Sequence, residues 1–119
     1  MRTKKELKKR MRQYAGARGI YADYGYIVWQ VSTGENIEIL FIEVKERRRG
    51  YGTKLMKKFV QRIKPYTSVF VFRLARNEEA GEFYRSMGFT ETKITGLYME
   101  DAVLAVVNYE TLCQNLSTK

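Results

Sequence analysis

Residues 47–52 read RRRGYG, and they stand between IEILFIEV (37–44) and TKLMKKFVQRI (53–63). Gly50 and Gly52 carry no Cβ to hold a ligand off the backbone, and a helix starting here would turn unpaired N–H groups and a positive dipole end toward it. Three arginines add charge. These residue types suit the holding of an anion, most simply as a phosphate cradle. A solvated basic helix start would share the composition. Two familiar cradles do not fit: a Walker A loop needs GxxxxGK followed by Ser or Thr, and a dinucleotide fingerprint needs GxGxxG, whereas RxxGxG stands here. The chain has no histidine and one cysteine, Cys113, which excludes a Cys/His zinc site and a histidine base.

The elements that must position this loop follow from periodicity. Leu7, Met11 and Tyr14 recur at helical spacing among lysines and arginines, predicting an amphipathic helix over 4–16. YGYIVWQV (24–31) and NIEILFIEV (36–44) read as strands joined by the short loop STGE. Alternation puts Ile27, Trp29 and Val31 on one face of the first strand and Tyr24, Tyr26, Val28 and Gln30 on the other, where the tyrosines either line a groove or simply occupy a surface strand. In the second strand it groups Glu38 with Asn36, Leu40 and Ile42, and leaves Glu43 facing solvent near the end. After RRRGYG, Leu55, Met56, Phe59, Val60 and Ile63 make an apolar stripe opposed by Lys54, Lys57, Lys58 and Arg62. SVFVF (68–72) is a continuous apolar run, as in a strand buried on both faces, so strand, helix and strand form a parallel crossover. A helix over 77–87 turns Ala80, Phe83, Tyr84 and Met87 inward and stops at Gly88; strands near 92–98 and 102–108 close a hairpin at Met99–Asp101. The fold class is α/β (α+β), a mixed sheet of about five to six strands flanked by about three helices. It forms a single domain over 1–119, with a basic N-terminal helix within 1–20 and a C-terminal tail over 109–119.

With the strand, loop and helix of LFIEVKERRRGYGTKLM in place, the chain resembles the GNAT superfamily of acyl-CoA-dependent N-acyltransferases. Their signature, (Arg/Gln)xxGx(Gly/Ala) after the fourth strand, is matched by Arg47, Gly50 and Gly52. A second family element, an Asn at the end of the next strand and a helix ending in FYxxxGF, is matched by Asn77, Ala80 and FYRSMGF (83–89). RxxGxG alone is weak evidence; both elements at this separation, in β-α-β-α order, are strong. The resemblance covers 24–108. It departs at the front, where members begin with a strand and two helices and this chain offers one basic helix and no evident first strand. The cofactor half is thus intact and the acceptor half reduced.

What the resemblance implies is a GNAT-like acetyltransferase with acetyl-CoA as co-substrate. Backbone N–H groups of Arg48, Arg49, Gly50, Tyr51, Gly52 and Thr53 would hold the CoA pyrophosphate, helped by the arginines, Arg47 included. Main chain at Ile42 and Val44 would pair with the pantetheine arm, Asn77 would hydrogen-bond it, and Tyr84 would sit near the sulfur. Transfer to an amine needs a free lone pair, a polarised thioester and a stabilised thiolate. Glu38 is the candidate base, nine positions before Arg47, a spacing at which the family places catalytic acids. Against a lysine amine near pKa 10.4, a glutamate near 4.3 falls short by about 8 kcal/mol for full transfer, so Glu38 must work through water or be raised by burial. Tyr84 would protonate or hydrogen-bond the leaving thiolate. Each has a blander reading, Glu38 as a polar strand residue and Tyr84 as a core tyrosine.

Charge adds a second theme. Of the net +9, residues 1–20 hold eight Lys/Arg against Glu6, and residues 45–64 hold nine against Glu46. Basic charge so concentrated suggests a bound polyanion. The N-terminal helix, with Arg18, Tyr14 and Tyr21 beside it, is either a solvated face or a docking surface for nucleic acid or an acidic protein. Two classes of function stay open. One is an enzyme moving an acetyl group to a primary amine, on a protein or another macromolecule because the reduced front leaves the acceptor side open. The other is a non-catalytic GNAT-fold module that binds nucleic acid or a partner. Cys113 reads as an inert tail residue, no stretch is apolar enough for a bilayer or signal peptide, and the expected setting is cytoplasmic, as a monomer or homodimer.

Overall fold

The computed structural model describes residues 1–65, 67–94 and 101–119. In chain order it runs α1 (Lys4–Met11), β1 (Arg18–Ala22), β2 (Gly25–Val31), a short 3-10 turn (Thr33–Glu35), β3 (Ile37–Val44), α2 (Tyr51–Val60), β4 (Ser68–Leu74), α3 (Glu78–Arg85), β5 (Thr90–Ile94), β6 (Ala102–Asn108) and α4 (Tyr109–Ser117). The strands form one sheet in the order β1-β2-β3-β4-β6-β5, in which β3 and β4 are the parallel pair and all other neighbours are antiparallel. The β3-α2-β4 crossover is the one expected from the sequence. No described helix is long and apolar enough to cross a membrane.

Two cores sandwich the sheet. The larger joins Ile27, Trp29, Ile37, Ile39, Val69 and Val71 to Leu55, Met56 and Phe59 of α2, Tyr84 of α3, and Leu112 and Leu116 of α4. The smaller packs Leu7, with Met11, onto Tyr26 and Val28, with Leu40 and Phe41. The face of β2 that carries Tyr26 and Val28 is thereby closed by α1: Tyr26 is fully buried rather than a groove or surface tyrosine.

The run SVFVF is not buried on both faces, since Val69 and Val71 are buried while Phe72 is 38% exposed, and four further expectations are corrected. The first helix ends at Met11 rather than at 16, because tight i+3 turns at Gln13 and Tyr14 and a left-handed Gly16 redirect the chain into β1. That strand has no sequence signal since, as a sheet edge, it buries only Ile20 of its five residues and shows no alternation. The segment expected to be a tail is α4, capped by Asn108, whose Oδ1 accepts from the N–H of Thr111 at 2.8 Å. Its Leu112 and Leu116, four apart, seal the larger core. The fourth correction lies in β3. Val28 pairs with Phe41 and Trp29 with Ile39, so Leu40 is an extra residue at a β-bulge and the alternation inverts across it. Ile42 and Val44 therefore join Ile37 and Ile39 on the larger core, and Glu38 does not share their face. The closing strand is Thr90–Ile94, and the proposed turn at Met99 lies outside the described residues.

Candidate active site

β3 and β4 pair through Ile37↔Val69 and Glu38↔Phe70 and carry no further ladder between them. The β4-facing main-chain groups of residues 39–44 are thus without strand partners in β4. Beyond this split a cleft of about 590 Å³ opens between the end of β3, the loop before α2, and α3. Its walls include Ile42 and Val44 from β3, Arg47, Arg48, Gly50, Tyr51, Gly52 and Thr53 from the loop and helix start, and Asn77, Phe83 and Tyr84 from the opposite side. Of the residues singled out from sequence, these are brought together; Arg49 and Glu38 are not among the lining. Arg49 turns to Glu46, its Nε 3.0 Å from the carboxylate. Glu38 accepts from Gln30 Nε2 at 3.3 Å on the α1 side, at the apex of the split.

The loop is built to leave donors open. Gly50 is the N-cap of α2, with φ 75 and no side-chain cap, and the first intrahelical bond runs from the N–H of Lys54 to the Gly50 carbonyl at 3.1 Å. The N–H groups of Tyr51, Gly52 and Thr53 precede it and lie at the cleft. A Cβ on Gly50 would meet nothing within 4 Å, whereas one on Gly52 would come within 2.8 Å of the Phe83 ring. The bare Gly52 thus leaves room for the Phe83 ring of α3 beside the start of α2. Tyr51 is held by stacking on Tyr24 at 4.9 Å between centroids, with the Lys54 ammonium over both rings.

Arg48 pays for its place, at φ 61 in the left-handed region. For a residue with a Cβ this costs about 1–2 kcal/mol. Arg48→Gly is expected to raise stability by up to about 1 kcal/mol, a few degrees in Tm by scanning fluorimetry, once the entropy of a looser unfolded chain is set against the relief. An unchanged or lower Tm would mean the loop is not strained there.

The second wall carries features that sequence reading missed. Asn77 caps α3, its Oδ1 accepting from the Ala80 N–H at 3.2 Å. Its position is fixed by Arg73, whose side chain is 7% exposed. The Arg73 Nη1 donates to the carbonyls of Leu74, Ala75 and Asn77 at 3.1–3.2 Å, and its Nε and Nη2 clasp Glu91 at 2.5 and 3.1 Å. Arg85 also pairs with Glu91. Hydrogen bonds from Arg73 hold the Glu91 carboxyl below its usual range, and the same bond raises Arg73. Gly81 makes the room: a Cβ there would come within 2.8 Å of the Arg73 guanidinium. Across the mouth, Arg47 Nη1 lies 2.8 Å from Glu79 Oε2, both exposed, a pair worth at most about 1 kcal/mol. Glu43, its side chain still 41% exposed, lines the cleft and accepts from the buried Tyr26 hydroxyl at 2.5 Å; burial first and this bond second push Tyr26 up to about 12. The pairings of Arg73 with Glu91, Arg47 with Glu79 and Tyr26 with Glu43 have no local sequence signal, since each joins residues seventeen or more apart in the chain.

Comparison with known proteins decides the lineage. The family model described as an acetyltransferase (GNAT) domain matches residues 3–112. This chain belongs to the GNAT acetyltransferase family. No curated relative matches it in sequence. Among solved structures, a Bacillus subtilis acetyltransferase in complex with CoA is similar with TM-score 0.67 and 16% identity, over 91% of this chain and 94% of that one. The ribosomal-protein-S18-alanine N-acetyltransferase of Escherichia coli is similar with TM-score 0.65 and 19% identity, over 86% and 75%. NAA60 of Arabidopsis thaliana in complex with acetyl-CoA is similar with TM-score 0.58 and 22% identity, over 71% and 65%. Within this GNAT domain the ring of Tyr84 is wedged edge-on between Phe83 and Phe89, at 5.2 Å from each, and is 4% exposed. Burial raises its pKa above the ordinary tyrosine value. It stays protonated through the neutral range.

Proposed function

We propose that the protein transfers an acetyl group from acetyl-CoA to a primary amine on a protein or other macromolecule, by direct attack within a ternary complex. The observation that carries this reading is the run of uncapped N–H groups at Tyr51, Gly52 and Thr53 beside Gly50, opening into a cleft whose far wall presents Asn77 and Tyr84. The donors and helix dipole suit the CoA diphosphate, with Arg47 and Arg48 adding charge. Unpaired main chain at Ile42 and Val44 suits an extended amide-bearing arm. Tyr84, whose phenol is a weaker acid than a thiol even before burial raises it, acts as a hydrogen-bond donor to the leaving thiolate rather than as a full acid. Glu38, at the apex of the split and on the opposite face of β3 from Ile42 and Val44, serves the acceptor amine through water.

Isothermal titration with acetyl-CoA tests the cradle. Wild type is expected to bind 1:1. Gly50→Ala, which carries the backbone strain alone, is expected to weaken binding about tenfold at most, and Gly50→Glu at least tenfold beyond that by placing a carboxylate against the diphosphate. Equal losses in the two variants would reduce the effect to backbone strain. No binding by wild type would favour the second reading, a non-catalytic module using its basic α1 to bind nucleic acid or an acidic partner, which the exposed lysines of α1 support.

A further inference from the structure

The outer side of α1 carries charge that nothing in the fold neutralises. Lys4, Lys5, Lys8, Lys9 and Arg12 are all exposed, while Leu7 anchors the helix from its buried side. By helical geometry the five fall on one continuous face, with Lys4, Lys8 and Arg12 in a row at four-residue spacing and Lys5 and Lys9 in a second row beside it. Like charges at that spacing oppose the helix. Among the described residues none of the five forms an ion pair, and Glu6, the one acid of α1, is engaged by the capping Thr3, whose hydroxyl donates to it at 3.1 Å. An ordinary solvated helix would intersperse its signs. Where this face ends and the chain turns into β1 lies a hollow of about 280 Å³, lined by Lys8, Met11, Arg12, Tyr14, Gly16 and Ala17. Tyr14 meets Phe41 edge to face, at 65° and 5.9 Å, and no described ring stacks on it.

We propose that α1 and this hollow dock a single-stranded nucleic acid, its phosphates along the two rows of cations and a base in the hollow against Tyr14. This ligand is additional to acetyl-CoA, and the inference does not depend on what the cleft transfers. Four residues of helix rise about 6 Å, which brings successive cations of a row to a separation near that of neighbouring phosphates on a strand. The end of α1 is the negative end of its dipole and holds phosphate poorly, which assigns the phosphates to the side of the helix and the uncharged base to its end. A tyrosine ring and a guanidinium, here Tyr14 and Arg12, are groups on which an unpaired base stacks. A duplex keeps its bases stacked inside and would leave the hollow unused. An anionic membrane is disfavoured because the cationic face has nothing to insert: Leu7 is buried, and none of the exposed large hydrophobic residues lies in α1. An acidic peptide would meet the lysines and bring nothing flat to the hollow.

The test titrates a labelled oligouridylate into the full chain by fluorescence anisotropy, with inorganic polyphosphate of equal charge, polyglutamate, and vesicles of phosphatidylserine and phosphatidylcholine as competitors. Oligouridylate is expected to bind about tenfold or more tighter than polyphosphate or polyglutamate. Raising salt from about 50 to 200 mM should weaken it roughly 50-fold, the effect of neutralising about four phosphates of a single strand. Lys5→Glu/Lys8→Glu is expected to weaken it about tenfold or more, while Arg62→Glu/Lys64→Glu, the same change of net charge placed on exposed residues after α2, weakens it by less than about threefold. The first pair of substitutions sets each new carboxylate four residues before a cation, Lys9 or Arg12, so the helix is not weakened by it. Tyr14→Leu keeps an apolar side chain against Phe41 and the whole charge, and should remove the preference over polyphosphate. Acetyl-CoA titration stays unchanged in all three variants, none of whose positions lines the cleft. No binding of oligouridylate, equal binding of polyphosphate, indifference to Tyr14→Leu, or an equal loss in the two charge reversals would overturn the proposal. Tighter binding of polyglutamate or of the vesicles would reassign the surface to an acidic protein or to a membrane. Displacement of oligouridylate by acetyl-CoA would place it in the cleft and not on α1.

Discussion

Arg73→Met is expected to cost about 3–5 kcal/mol of folding stability, because it strips a largely buried carboxylate of its partner while leaving the charge in place. Arg73 clasps Glu91 with two nitrogens and ties down the carbonyls of Leu74, Ala75 and Asn77 with the third. Removing Glu91 as well, as Arg73→Met/Glu91→Leu, should recover much of the loss, since two apolar side chains replace a pair whose desolvation was itself costly. Urea denaturation of both variants measures this; a single variant within about 1 kcal/mol of wild type would show that Arg85 alone suffices for Glu91. The pH dependence has a definite sign. Glu91 is held below its unfolded value, so its contribution is present above about pH 4.5 and is lost as pH falls through the lowered folded value. Wild-type stability should therefore fall in acid, and the double variant should fall less steeply. Acetyl-CoA affinity links this network to the site: with the Asn77 carbonyl released, the cleft wall loosens, and the single variant should bind more weakly even at temperatures where it remains folded.

Tyr84→Phe is expected to lower turnover about 100-fold, the effect of losing one donor to developing charge, while acetyl-CoA affinity changes little. The ring's packing against Phe83 and Phe89 survives the substitution, so folding should be preserved. Burial raises Tyr84, so its ionisation cannot account for any loss of rate below about pH 10. Glu38→Gln, with no residue of the cleft lining removed, should leave acetyl-CoA binding intact and lower kcat/KM for the amine chiefly at low pH, where amine deprotonation is scarce. Stopped-flow release of free thiol with a peptide amine distinguishes the two. Unchanged turnover in Tyr84→Phe would remove the phenol from the chemistry.

Sequence alone determined the parts in which function and local structure coincide. RRRGYG announced a helix start without a side-chain cap, because glycine at the cap and basic residues around it are local facts that no distant contact can alter, and the cleft has that loop as one wall. The stripe Leu55, Met56, Phe59 fixed which side of α2 faces the sheet. Tyr84 followed from the inward stripe of a short helix, whereas Asn77 came from the resemblance to the family and its capping of that helix appeared only in the structure.

Only the tertiary structure decided the rest, and the reason in each case is pairing at a distance. One extra residue at Leu40, visible only against β2, inverts the alternation of β3 and parts Glu38 from Ile42 and Val44. β1 is a strand because β2 offers it an edge, and α4 is a helix rather than a tail because Leu112 and Leu116 find the larger core. Arg73 and Glu91 are ordinary charges eighteen residues apart until β4, β6 and β5 lie side by side and bury them together. A helix or turn signal is carried by neighbours along the chain; a bulge, an edge strand or a buried ion pair exists only once the strands have chosen their partners.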